Sequence, residues 1–233
     1  MSLKKCTTRP STRLIFLGII CDTDRRRFEV PETKLIKLET ILKEAIQSRF
    51  ITFHDLEKLA GKCTSMSVAV PPASLYTYHM YKKISEYQRA RYSSTRIPVA
   101  PNSGLCSEME LWLQVRSRIN GASWYDSAHH PLTITGATDA SSSSWAGVVR
   151  GTPGSGEVFR AAADFPAEWV SSHINVKETF ALYEVLRLLV KARPDFLRAS
   201  TTTMDADNKA MFYAVQKGRA PNEQMHKLVR KLF

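Results

Sequence analysis

The sequence predicts an α/β protein in which a helical part precedes a mixed sheet with flanking helices. Three observations predict it. Apolar residues recur at helical spacing across residues 35–69, 73–91 and 108–120. From Leu132 the pattern changes to strand material in the order strand, strand, strand, helix, strand, helix. At 233 residues with 43% hydrophobic content, the chain is long enough for two modest domains.

The elements follow in order. Leu14-Ile-Phe-Leu-Gly-Ile-Ile20 reads as one buried strand in which Gly18 permits a bulge. Asp22 to Arg27 is a polar turn, with Arg25 to Arg27 solvated rather than phosphate-binding, and Phe28-Glu-Val30 is a short return strand ended by Pro31. Leu35, Leu38, Ile41, Leu42, Ala45 and Ile46 form the apolar face of a first helix. Thr52 with Asp55 has the form of a capping box for a second helix, which carries Leu56, Leu59, Ala60, Cys63, Met66 and Ala69 and stops at Pro71-Pro72. A third helix is expected from Ala73 to Arg91. Its Tyr78, Tyr81, Lys82 and Lys83 fit equally a packed face and a face that tracks a nucleic-acid backbone. Residues 92–104 read as a linker, and a helix from Glu108 ends near Asn120-Gly121 with Trp112 as a packing anchor. His129 and His130 are adjacent, so on an extended chain they point apart, which argues against a metal site.

Beyond Leu132, two strands flank Ser141 to Ser144, and Val158 to Ala161 supplies a third strand after a glycine-rich turn at Thr152 to Gly156. That turn lacks the lysine and helix of a phosphate loop. Ser171-Ser172 is expected to cap the helix that follows His173, while His173 itself has a capping or packing role. Asp139 lies at a strand end, Glu178 near a helix start and Asp207 at a strand-to-helix junction. This order can bring three acids to one sheet edge. Clustered acids repel, so a fold retains them with a cation among them or with one protonated. Hard divalent cations take oxygen ligands. Asp205 competes with Asp207 for the third place, because residues two apart on a strand face the same way.

Net charge is +11, of which residues 1–130 carry +8 (20 Lys and Arg against 12 Asp and Glu) and residues 131–233 carry +3 (13 against 10). A basic balance attracts phosphate backbones, though many proteins without nucleic-acid roles share it. The four cysteines, Cys6, Cys21, Cys63 and Cys106, show no paired zinc spacing, and no 18-residue apolar run marks a membrane span. The expected setting is intracellular, cytoplasmic or nuclear, without secretion or membrane contact.

Thr138-Asp-Ala-Ser141 followed by Trp145-Ala-Gly-Val148, His173-Ile-Asn175 with Glu178, and Asp207-Asn208 resembles the ribonuclease H domain of retroelement reverse transcriptases, with DIRS-type and gypsy-like elements the nearest in look. Phe16-Leu-Gly18 through Pro31 and Lys34 looks like the end of a reverse transcriptase palm. Leu59-Ala-Gly-Lys62 and Val70-Pro-Pro-Ala-Ser-Leu75 look like its thumb, and the helix around Trp112 like the connection. The resemblance implies a division into 1–31 (palm end), 32–128 (thumb and connection) and 129–233 (a C-terminally truncated ribonuclease H domain).

It further implies a ribonuclease H-type endonuclease cleaving the RNA strand of RNA–DNA hybrids. Asp139, Glu178 and Asp207 would hold two Mg²⁺ ions, with Mn²⁺ as a substitute. Asn175, Ser141, Asn208, Lys62 and Lys82 are candidate nucleic-acid contacts. Two departures qualify it. The family's domain continues to a fourth acid, whereas this sequence ends 26 residues after Asp207, and Glu223 is too near to replace it. No paired-aspartate polymerase motif is present, so the fingers and palm would belong to a parent polyprotein. The alternative is an inactive remnant that binds nucleic acid by charge. An integrase-like nuclease is a third possibility, but it leaves the thumb-like phrases unexplained.

Overall fold

The computed structural model describes residues 9–90, 96–123, 132–151, 154–194 and 200–233. The chain divides into two compact units, Met1–Asp126 and Ser127–Phe233. The expected α/β class holds, with helices before a mixed sheet that helices flank.

In the first unit, β1 (Arg13–Phe16), β2 (Ile19–Asp22), β3 (Arg27–Glu29) and β6 (Ala122–Ser123) form an antiparallel sheet. The expected single strand over 14–20 is instead a hairpin. Leu17 and Gly18 both have positive φ, 49° and 79°, which makes the two-residue turn whose twist suits a hairpin. Asn120 side-chain atoms bond both backbone groups of Val30, accepting from its N–H at 2.8 Å and donating to its carbonyl at 3.1 Å.

Helix α1 (Glu32–Ser48) buries Leu35, Leu38, Leu42 and Ala45, the face its spacing predicts. Thr52 closes β4 (Phe50–Thr52) and caps α2 (Phe53–Ser65), its hydroxyl accepting from the Asp55 N–H at 3.1 Å. Helix α2 ends at Ser65, before Pro71, and Pro71–Ser74 is a separate 3₁₀ turn. Helix α3 therefore starts at Tyr78 rather than Ala73 and runs to Arg89. Within the expected linker, β5 (Arg96–Pro98) pairs with β4, matching buried Ile97 to buried Ile51. Ser103 caps α4 (Gly104–Leu113), and the short α5 (Val115–Arg118) follows. Trp112 is buried, as its packing role requires, and its indole N–H donates to the Tyr76 carbonyl at 2.9 Å. Ile19 and Val30 join the helical side chains in one apolar core. His129-His130 and Thr152 lie outside the described residues.

In the second unit, β7 (Leu132–Ala140), β8 (Ser144–Arg150), β9 (Val158–Asp164) and β10 (Ser200–Asp205) form a mixed sheet in the order β10-β7-β8-β9. The first three strands are antiparallel neighbours, and β10 is parallel to β7. A parallel pair needs a crossover; here it runs through α6 (Ala167–Val170) and α7 (Ile174–Ala192). A mixed sheet with flanking helices is what the resemblance implies. Helix α7 packs on β7 and β8, and α8 (Lys209–Lys217) and α9 (Glu223–Leu232) pack on α7.

The alternation along the strands decides which face is covered. Ile134, Thr138, Trp145 and Val149 are buried, while Thr133, Thr135, Ala137, Ala146, Arg160 and Ala162 are exposed on the other face. Phe180 of α7 meets the rings of Phe165, Trp169 and Trp145 at 5.5, 5.0 and 6.4 Å. No helix among the described residues is long and apolar enough to cross a membrane.

Candidate metal centre

Each acid reaches the centre through a different element. Asp139 is the penultimate residue of β7, on the exposed side of the alternation, paired with Ala146 of β8 and beyond the last pair that β7 makes with β10. Glu178 is the fifth residue of α7, one turn in, and is buried. Asp207 stands between β10 and α8 and is exposed. One carboxylate oxygen from each of the three lies within 4.8 Å of the others. Asp205 ends β10 and is not in the group. The strand stops at Asp205, so the two-residue periodicity that made Asp205 and Asp207 rivals does not reach Asp207.

Burial sets the electrostatics. Glu178 Oε2 is buried without a hydrogen-bond partner. Desolvation is the largest influence on its carboxyl, followed by the negative charges of Asp139 and Asp207. Together they lift its pKa from 4.5 to about 7, against the opposing backbone N–H of Ala140. The Ala140 N–H also donates to Asp139 Oδ1 at 2.9 Å. An orphaned, buried carboxylate oxygen beside two further carboxylates is a donor set that fits a hard divalent cation.

The other residues expected at the site have partners and places of their own. His173 is the N-cap of α7, its Nδ1 accepting from the Asn175 N–H at 3.2 Å, so Ser171-Ser172 is not the cap. A ring nitrogen one residue before the helix reaches the orphan N–H that the serines, one and two residues earlier, do not. Asn208 caps α8, accepting from the Met211 N–H at 2.9 Å, and its amino group donates to Asn175 Oδ1 at 2.9 Å. Ser141 is turned into its own loop: its Oγ accepts from the Ser144 N–H at 2.9 Å and lies 2.9 Å from Ser144 Oγ. Lys62 lies exposed on α2 and Lys82 half-buried on α3, both in the first unit.

Lys177 did not stand out in the sequence. It is buried, donates to the Ser142 carbonyl at 2.5 Å, and lies 5.4 Å from the Phe165 ring centroid. A lysine at an apolar position of an amphipathic helix is the available signal; its partner 35 residues away has none.

No protein-family model matches the chain, and no curated protein matches it. Solved structures of a foamy viral protease-reverse transcriptase are similar in part. The form in complex with RNA/DNA hybrid has 13% identity and a TM-score of 0.37, over 95% of this chain and 28% of that one. The form in complex with dsDNA has 13% identity and a TM-score of 0.37, over 91% and 40%. The dRH form in complex with double-stranded DNA has 11% identity and a TM-score of 0.35, over 93% and 35%. The chain thus spans 28–40% of the length of these three chains. At that identity and TM-score the likeness carries no functional weight.

Proposed function

We propose that the second unit is a ribonuclease H-type nuclease that hydrolyses the RNA strand of an RNA–DNA hybrid. The observation that carries this is the convergence of Asp139, Glu178 and Asp207 within 4.8 Å, with one buried oxygen lacking any partner. In this reading the three acids hold two divalent ions, Mg²⁺ by preference and Mn²⁺ as a substitute. When bound, such ions supply Lewis acidity that makes water a nucleophile near neutral pH and neutralises a departing 3′ oxygen.

The protein residues do the rest. Glu178, with a pKa of about 7, gives up its proton easily when a cation replaces it. Asp139 and Asp207 are exposed, so they stand open to a phosphodiester. Discrimination of RNA from DNA needs a contact to the 2′-hydroxyl. Asn175, half-buried and three residues before Glu178, is the proposed contact. The first unit, with most of the positive charge, would carry palm-end (1–31), thumb and connection (32–128) functions, with Lys62 and Lys82 toward the backbone, in a retroelement polyprotein whose polymerase core lies elsewhere.

The test is incubation of the full chain at low salt with end-labelled RNA–DNA hybrid, single-stranded RNA and duplex DNA, in Mg²⁺ and then Mn²⁺. Cleavage confined to the RNA of the hybrid, and lost in Asp139→Asn, is the expected result. The net charge of +11 favours a second reading, a binder without chemistry. Salt-dependent hybrid binding with no cleavage in either metal would select it.

A further inference from the structure

Asn208 is tied at both ends of its amide. Its Oδ1 accepts from the Met211 N–H at 2.9 Å, and its Nδ2 donates to Asn175 Oδ1 at 2.9 Å. A backbone N–H can only donate, so it dictates that the Asn208 carbonyl faces α8. The amino end must then face Asn175, and Asn175 must answer with its carbonyl. One backbone group thus fixes the polarity of both side chains.

The two asparagines sit where the acids need bracing. Asn208 directly follows Asp207 on the turn into α8. Asn175 precedes Glu178 by three residues, so the two share a face of α7. Asn175 is itself held by its backbone: its carbonyl accepts from Thr179 Oγ1 at 2.8 Å and its N–H donates to His173 Nδ1. The three carboxylates repel one another, and Asp207 hangs on a short loop beyond the sheet. A link between its neighbour and the Glu178 face opposes that repulsion.

Resting on the reading of the acids as a metal centre, we infer that Asn208 is a positioning residue. Through Asn175 it fixes Asp207 against Glu178, and it acts on the metal without touching it.

The test uses the full chain and Mn²⁺ binding followed by electron paramagnetic resonance, without nucleic acid. Asn208→Ser keeps a capping hydroxyl but loses the link. Asn175→Ala leaves the Asn208 cap in place and removes the link from the other side. Each is expected to weaken Mn²⁺ binding about tenfold, the scale of an outer-shell partner, while the thermal midpoint without metal stays near that of the parent. The double variant should bind no more weakly than either single, because both remove one interaction. Unchanged Mn²⁺ affinity in folded single variants, or losses that multiply in the double, would overturn the inference while leaving the metal centre standing. Absence of Mn²⁺ binding by the parent chain would sink both.

Discussion

Lys177 Nζ donates to the backbone carbonyl of Ser142 at 2.5 Å, joining α7 to the turn that follows Asp139. The lysine precedes Glu178, so this bond and the Glu178 carboxyl fasten neighbouring points of the helix to the end of β7. Hydrogen bonds from charged donors contribute about 1.5–3 kcal/mol. Because the Ser142 carbonyl can rehydrate, Lys177→Met is expected to lower stability by only about 1 kcal/mol in urea unfolding. Amide exchange should quicken at Ser143 and Ser144 more than in β9, and uniform change across the sheet would contradict the local role.

The raised pKa of Glu178 has a signed consequence. Between its ordinary value of 4.5 and about 7, the folded chain holds a proton that the unfolded chain has lost. Its contribution to stability is therefore greatest below pH 4.5 and falls as pH rises toward 7. In chelator, the thermal midpoint of the parent should decline over that window relative to Glu178→Gln, which has no such proton. Parallel curves for the two proteins would show that Glu178 titrates normally.

Gly147 is a packing requirement. A Cβ there would stand 2.4 Å from Val185 Cγ2 and 3.0 Å from Thr138 Cγ2, between β8 and α7. Gly147→Ala should cost about 1–3 kcal/mol through overpacking. Gly147→Ala/Val185→Ala should recover part of the loss, and the same loss in both would place the strain elsewhere.

Glu108 is buried, yet it accepts from the His79 N–H at 2.9 Å and the Met80 N–H at 3.1 Å at the start of α3. Removing a partner from buried donors costs about 1–3 kcal/mol. Glu108→Ala is expected to destabilise by about that amount, and Glu108→Gln by less. Nearby Cys63 has its thiol pushed well above the usual range, mainly by burial and next by the Glu108 charge. In the native chain Cys63 should resist alkylation and the partly exposed Cys21 should react faster than it does. Equal labelling would contradict the buried environment.

What the sequence revealed follows its periodicities. The apolar faces of α1 and α2 and the alternation of β7 and β8 are carried by neighbours in the chain, so they are legible. The three acids are legible through element order, since a strand end, a helix start and a strand-to-helix junction can share one sheet edge. Some short pieces are not legible, although the three-residue β3 is. Strand β5 has three residues and ends in Pro98, too few for a period and with a residue that usually argues against a strand. The hairpin at Leu17-Gly18 hides in a continuous apolar run, because a turn made by backbone sign leaves only one glycine behind. Long-range polar partners are silent altogether. Nothing near Glu108 marks the N-terminus of α3 as its target, and nothing near Asn208 names Asn175.

The most direct measurement is Mn²⁺ binding by the metal-free full chain, read by electron paramagnetic resonance, alongside Asp139→Asn, Glu178→Gln and Asp207→Asn. If the three carboxylates form one centre, the parent binds Mn²⁺ and every single substitution weakens it by tenfold or more, on the order of one lost ligand among few. Asp205→Asn should bind as the parent does. Binding that survives all three substitutions, or a parent chain that takes up no Mn²⁺, would contradict the account.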